Sequence, residues 1–144
     1  MIPIIIAQIS WIILALLCGF IEAHYYDLVY TYGNKKHKNL HPFYFALRGI
    51  FLLGITFGLG YTLEWWQCVV FMFASALTFS FFHNGMYCIT RHFFTPEKYV
   101  NGWWSDKEQG TDENKAEMEF NAGMRTMMAI VGIAFIIGLI FELQ

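Results

Sequence analysis

Four apolar runs, at 2–30, 42–61, 65–90 and 119–141, take up most of this 144-residue chain. Each is long enough to cross a hydrocarbon layer roughly 30 Å thick at about 1.5 Å per helical residue. With 57% hydrophobic and 14% charged residues, the chain has more apolar surface than one water-facing core of this size can hide. The expected fold is an all-α integral membrane protein, a single domain over 1–144 built as a four-transmembrane-helix bundle. Lipid offers no partner to a bare N–H or C=O, so continuous helices are the expected spans. The alternative is a re-entrant hairpin in the second run, which carries Gly49, Gly54, Gly58 and Gly60.

Charge then orients the bundle. All nine Lys and Arg residues lie in two stretches, Lys35 to Arg48 and Arg91 to Arg125. If the runs cross alternately, the loops at 31–41 and 91–118 share one side. The connection at 62–64 and both termini share the other. The positive-inside rule makes the first side cytoplasmic and the second non-cytoplasmic. No basic residue precedes Lys35, so the charged region of a secretory signal is missing and the first helix is expected to be retained. The host is an inner or plasma membrane, or a virion membrane. The net charge of -2 gives no support to nucleic-acid binding, because acidic residues share the loops with the basic ones. Cys18, Cys68 and Cys88 sit at different depths with no CxxC spacing, as expected of reduced packing residues.

Small residues and caps predict the packing. Gly54 and Gly58 on the second run, and Ala134 and Gly138 on the fourth, have the small-xxx-small spacing that lets backbones approach, so these two helices could meet each other or a second copy of the protein. Pro42 suits the first turn of the second helix. Thr95-Pro96-Glu97-Lys98 reads as an N-cap opening a short surface helix that Asn101-Gly102 ends before Trp103 and Trp104. Thr111 is a candidate cap for an extension of the last helix. Aromatics including Tyr25, Tyr30, Tyr32, Tyr61, Trp65, Trp66 and Tyr99 fall where the spans should meet the interface.

The strongest functional signal is a shared depth. Counted from cytoplasmic ends near Tyr30, Pro42, Arg91 and Glu119, the residues Glu22, Arg48, His83 and Arg125 each lie six to eight positions inward, roughly 9 to 12 Å. Ionisable groups in a membrane are costly and face the bundle or a wet cavity. Helical spacing adds Tyr26, Tyr87, Arg91 and Asn121, with Asn84 beside His83 and Asp27 nearer the surface. A cavity lined by Glu22, Tyr26, Arg48, His83, Asn84, Tyr87, Arg91, Asn121 and Arg125 would open to the cytoplasm with an excess of positive charge.

That pattern admits several functions. Planar, permanently charged guanidiniums suit an anionic group such as a lipid phosphate or a carboxylate. The first expectation is therefore a membrane subunit that binds an anionic lipid or another anion, acting as a homo-oligomer or within a larger membrane complex. On it, Arg48→Ala and Arg125→Ala each lose the ligand. The alternative is a structural or assembly subunit, in a membrane complex or viral membrane, whose polar cluster only fixes helix register. A metal site drawn from Glu22, His24, His37, His41, His83 and His92 lacks any HExxH motif, and three arginines oppose a dication. No metal or other cofactor is implied. Lipid-directed enzyme chemistry would rest on His83 as acid or base, and no Ser or Cys is visibly paired with a histidine and an orienting acid. The apolar outer halves suggest no continuous aqueous route, and Gln8, Ser10 and Gln67 are expected to make interhelical bonds.

Overall fold

A computed structural model describes residues 1–31, 41–105 and 121–143. These form four helices: α1 (Ile2–Thr31), α2 (His41–Leu59), α3 (Trp65–Phe94) and α4 (Ala122–Glu142), with one turn of 3-10 helix at Gly102–Trp104. The loop at 32–40 and the segment at 106–120, with the Thr111 cap, lie outside the described residues. Three helices are long and apolar enough to cross a membrane: α1 over Ile2–Leu28, α3 over Trp65–Phe94 and α4 over Ala122–Glu142. The apolar part of α2, Tyr44–Leu59, is shorter. It is nonetheless continuous helix, with no break at Gly49, Gly54 or Gly58.

The third helix organises the others. It packs between α1 and α4 and also receives α2 and the 3-10 turn. Its buried residues run its whole length, from Gln67, Phe71 and Ala74 to Tyr87, Cys88 and Arg91. At one end, Ile4 of α1, Leu59 of α2, Phe71 of α3, and Ile136 and Leu139 of α4 meet in one apolar cluster. That end therefore joins the start of α1 and α3 to the finish of α2 and α4. Exposed large apolar side chains outnumber buried ones, among them Ile6, Leu17, Phe45, Phe57, Phe73, Ile130 and Phe141. Such a surface is stable against lipid chains, not against water.

Deeper in the bundle, polar side chains fasten α1 to α3. Gln8 donates to Thr78 Oγ1 (3.1 Å) and accepts from the Ser75 hydroxyl (3.0 Å), while the Trp11 indole N–H donates to the Ser75 carbonyl (2.7 Å). The interhelical role read for Gln8 holds. Ser10 instead donates to the Ile6 carbonyl of its own helix (2.8 Å), and Gln67 also has a different role. Its side-chain oxygen accepts from the Glu64 backbone N–H (2.9 Å) in a capping box that starts α3.

Close approach occurs at glycines other than those the spacing rule selected. Gly54, Gly58, Ala134 and Gly138 are all exposed, and a Cβ at Gly54, Gly58 or Gly138 meets nothing within 4 Å. Contact is made instead at Gly19, where an added Cβ would run into the His83 carbonyl, and at Gly132, where it would lie 2.6 Å from the Ala74 carbonyl oxygen. Gly19 lies between fully buried Ala15 and Ala23, so α1 presents a flat stripe on which the α3 backbone rests.

The segment after α3 also departs from expectation. Thr95 is a C-cap, its hydroxyl and backbone N–H both donating to the Arg91 carbonyl, so it does not open a new helix. Residues 96–98 form turns, and Gly102, at φ +51°, begins the 3-10 turn that its spacing had marked as a helix end. Tertiary contacts decide this. Tyr99 is fully buried, the Trp103 ring lies against Gly85 where no Cβ would fit, and Ser105 is fully buried. The chain thus doubles back along the last three turns of α3.

The α1–α3 contact yields a direct test. Gly→Ala inside a helix normally stabilises by about 1 kcal/mol, which is the expected sign at exposed Gly54 and Gly58. At Gly19 the added methyl must push α1 off the His83 carbonyl, an overpacking cost of about 1–3 kcal/mol. Thermal unfolding in mild detergent should therefore lower the Tm of Gly19→Ala while Gly54→Ala stays level or rises. Equal behaviour of the two would remove Gly19 from the interface.

Candidate functional site

The register fixed by Gly19 sets Glu22 of α1 opposite His83 of α3. Glu22 is 1% exposed and His83 is 3% exposed. His83 Nε2 lies 2.9 Å from Glu22 Oε2. Into this pair α2 inserts Arg48, whose Nη2 donates to the same Oε2 at 2.9 Å and stands 2.9 Å from His83 Nε2. Three nitrogen and oxygen atoms from three helices thus form a near-equilateral triangle. On its far side, His83 Nδ1 lies 2.8 Å from Asn84 Oδ1, and the Asn84 amide donates to the Ser80 hydroxyl at 3.3 Å.

An aromatic ring supports two corners of the triangle. Phe79, one turn before His83, stacks on the imidazole with centroids 5.2 Å apart and lies 4.9 Å from the Arg48 guanidinium carbon. Trp11 of α1 packs on the other side of Phe79 at 5.2 Å. Tyr44 approaches Arg48 from its own helix, 5.9 Å from ring to guanidinium carbon. Such cation–π contacts favour a guanidinium that has left water.

A second charged pair lies toward the helix ends. Arg91 of α3 donates to Asp27 of α1 at 3.2 Å and lies over the Tyr99 ring at 5.6 Å. Tyr26, Tyr87 and Tyr99 form an edge-to-face column beside it, with centroids 6.4 and 6.3 Å apart. The Tyr99 carbonyl lies 2.9 Å from His92 Nδ1.

The third group is on the opposite flank of α3. Arg125 of α4, 3% exposed, donates from Nη2 to the Ser105 carbonyl at 2.9 Å. Buried Cys88 points its thiol at the same oxygen at 3.2 Å. Phe81, Trp103, Trp104, Ala122 and Arg125 line a shallow crevice here.

Each residue of the expected cavity can now be placed. Glu22, Arg48, His83 and Asn84 meet in the triangle and its extension. Tyr26, Tyr87 and Arg91 belong to the Asp27 group. Arg125 stands apart with Ser105. Asn121 is exposed and caps α4, its Oδ1 accepting from the Met124 backbone N–H at 2.8 Å. The histidines also disperse. His24 is exposed and stacks on Phe20, while His37 and the His41 side chain lie outside the described residues. Among the described residues no three His, Cys, Asp or Glu side chains could hold one metal ion.

Sequence reasoning missed Gly19, Phe79, Gly85 and Ser105. Gly19 had a readable signal, the Ala15-xxx-Gly19-xxx-Ala23 pattern. Phe79 is one apolar residue among many, and Ser105 acts through its backbone carbonyl, which leaves no trace in a sequence.

Two of the groups, the triangle and Arg125, lie near one plane. Counting from the opposite helix ends at the helical rise, Glu22 is about 30 Å from Ile2, His83 about 27 Å from Trp65, and Arg125 about 26 Å from Glu142. Those lengths are close to the hydrocarbon thickness of a bilayer. Helices α1 and α3, each 30 residues, continue about 10 residues beyond that plane and carry Asp27 and Arg91.

Breaking a buried ion pair by removing one partner costs about 3–5 kcal/mol, because the other charge is left desolvated. Arg48→Met and Glu22→Gln should each destabilise the protein to about that extent. The double variant should cost clearly less than their sum. Equilibrium unfolding in mixed micelles reads this coupling, and additive losses would show that the two side chains do not act on one another. Neither family models, nor curated proteins, nor solved structures yield a match to this chain.

Proposed function

We propose that this chain is a four-span membrane protein that holds an anionic lipid at its cytoplasmic face, with both termini on the opposite side. The observation that carries this reading is the setting of Arg125. Among the described residues, Arg48 and Arg91 engage the carboxylates of Glu22 and Asp27, while Arg125 donates to the Ser105 carbonyl and lines an aromatic crevice with Phe81, Trp103 and Trp104.

The surroundings of Arg125 fit a lipid headgroup. Arg125 lies at the level where phosphates reside, and its planar guanidinium suits a phosphate. Trp103, Trp104 and Phe81 provide the amphipathic wall that interfacial rings give to a glycerol backbone and upper acyl chain. The Ser105 hydroxyl, fully buried beside it, has no hydrogen-bond partner among the described residues.

The four-span reading is supported by the course of α2. Its 19 residues measure about 28 Å. Arg48, eighth of the 19, reaches the charged plane, and Leu59, about 16 Å further along the helix, joins the apolar cluster of Ile4, Phe71 and Leu139. The basic loops orient that frame with the charged plane toward the cytoplasm, in an inner, plasma or virion membrane.

A second reading, an assembly subunit, draws on the Glu22–Arg48–His83 triangle, whose charged groups engage one another, and on the exposed small-residue faces Gly54/Gly58 and Ala134/Gly138. Native mass spectrometry of protein released from nanodiscs separates the two. An anionic lipid retained by the wild type, kept by Arg125→Lys and reduced at least tenfold by Arg125→Met supports the lipid site. A bare wild type that carries a second chain transfers the charged plane to the assembly reading.

A further inference from the structure

The Glu22–His83–Arg48 triangle poses a hydrogen-bonding problem that fixes where a proton can reside. Asn84 presents Oδ1 to His83 Nδ1 at 2.8 Å, and a carbonyl oxygen only accepts, so Nδ1 carries a proton in this arrangement. The question is then the state of Nε2, which lies 2.9 Å from both the Glu22 carboxylate oxygen and the Arg48 Nη2.

Two states answer it. With Nε2 bare, Arg48 donates to Nε2 and to Glu22 Oε2 together. Arg48 Nη2 then supplies a shared N–H between two lone pairs that face each other across 2.9 Å, which makes Arg48 important to the packing of the pair. With a proton on Nε2, the imidazolium donates directly to Glu22 in a charge-assisted bond. Glu22 is then neutralised by His83, and Arg48 faces a second cation at 2.9 Å across a medium that screens poorly.

We propose that Glu22 and His83 form an intramembrane proton-binding pair, and that the proton on Nε2 decides whether Arg48 holds α2 against α1 and α3. The rest of α2 makes this coupling effective. Its Phe45, Ile50, Phe51, Leu53 and Phe57 are exposed, and a Cβ at any of Gly49, Gly54 and Gly58 meets nothing within 4 Å. At the charged end of the bundle, α2 is joined to α1 and α3 by Arg48, the hydrogen bonds and Phe79 contact of which depend on one proton. Proton uptake weakens that joint, and proton release restores it.

Among the described residues, other charged and titratable groups also lie near the triangle. On α1 these are Cys18 and Tyr26, one turn either side of Glu22, then Tyr25, with Asp27 paired to Arg91. On α2 the group is Tyr44. On α3 they are Tyr87 and Arg91, and Tyr99 reaches them from the following turns. On α4, Arg125 is bound to Ser105 across the helix. None of these stands between Nε2 and Oε2. The inference is independent of any lipid at Arg125.

The test uses full-length protein in nanodiscs of zwitterionic lipid, labelled with 15N-histidine. His83→Gln assigns the His83 resonances. The expected result at pH 8.5 is a neutral ring with Nδ1 protonated and Nε2 bare. On acidification to pH 5, Nε2 gains a proton. In the same range, amide hydrogen exchange in α2, corrected for its intrinsic pH dependence, rises at least tenfold, while exchange at the Gln8–Ser75–Thr78 level of α1 and α3 does not. In Glu22→Gln the α2 response disappears. An Nε2 protonated throughout, or an α2 exchange rate that ignores its protonation, overturns the proposal. The nitrogen shifts of the wild type decide the first point even if a variant fails to fold.

Discussion

A charge on the least embedded helix constrains everything else in this molecule. Arg48 lies within α2, and lipid around an unpaired guanidinium is costly enough to expel the helix or draw water in. The bundle resolves this by presenting Glu22, itself removed from water, at 2.9 Å. Neither charge is tolerable at this depth alone. On the four-span reading, their pairing makes the seating of α2 depend on the packing of α1 on α3, since that packing is what aims Glu22 and His83 at one point. The same constraint explains the Phe79 and Tyr44 rings around Arg48, which offer a guanidinium an attractive face without a further charge.

That prior packing depends on an absence of side chain. Gly19 lets the α1 backbone lie on the His83 carbonyl, and the residue three positions on is Glu22. A bulkier residue at 19 would move the helices apart by the width of a methyl group and open the 2.9 Å contacts by a similar amount. At the other end of the interface, Gln8, Trp11, Ser75 and Thr78 pin the same two helices with hydrogen bonds that have no competing water. The α1–α3 pair is thus a scaffold held at both levels, and α2 and the chain beyond α3 are attached to its charged end.

How much of this the sequence showed follows from which forces leave a pattern in it. Hydropathy fixed the helices closely, because span length is set by the bilayer and not by neighbours. Shared depth picked out Glu22, Arg48 and His83, because depth is linear in residue number. Azimuth was less legible. The nine residues assigned to one cavity fall on different flanks of α3, and Arg91, Arg125 and Asn121 separate from the triangle. Spacing rules marked Gly54 and Gly138 for a crossing with each other or with a second copy, whereas the tight crossings within the chain are at Gly19 and Gly132, because the same spacing does not say which helix a small residue faces. The turns after Phe94 were read as a helix because Thr-Pro-Glu has cap chemistry, and the burial of Tyr99, Trp103 and Ser105 overrode it.

The central claim is that a guanidinium on α2 and a carboxylate on α1 are in direct contact within a bilayer. Solid-state NMR of protein in liposomes measures this without perturbing the fold, by dephasing the side-chain carboxyl carbons of 13C-glutamate with the guanidinium nitrogens of 15N-arginine. The account predicts strong dephasing of one glutamate signal in the wild type that is lost in Arg48→Met. Carboxyl signals that show no arginine contact, or a contact that survives that substitution unchanged, would contradict it.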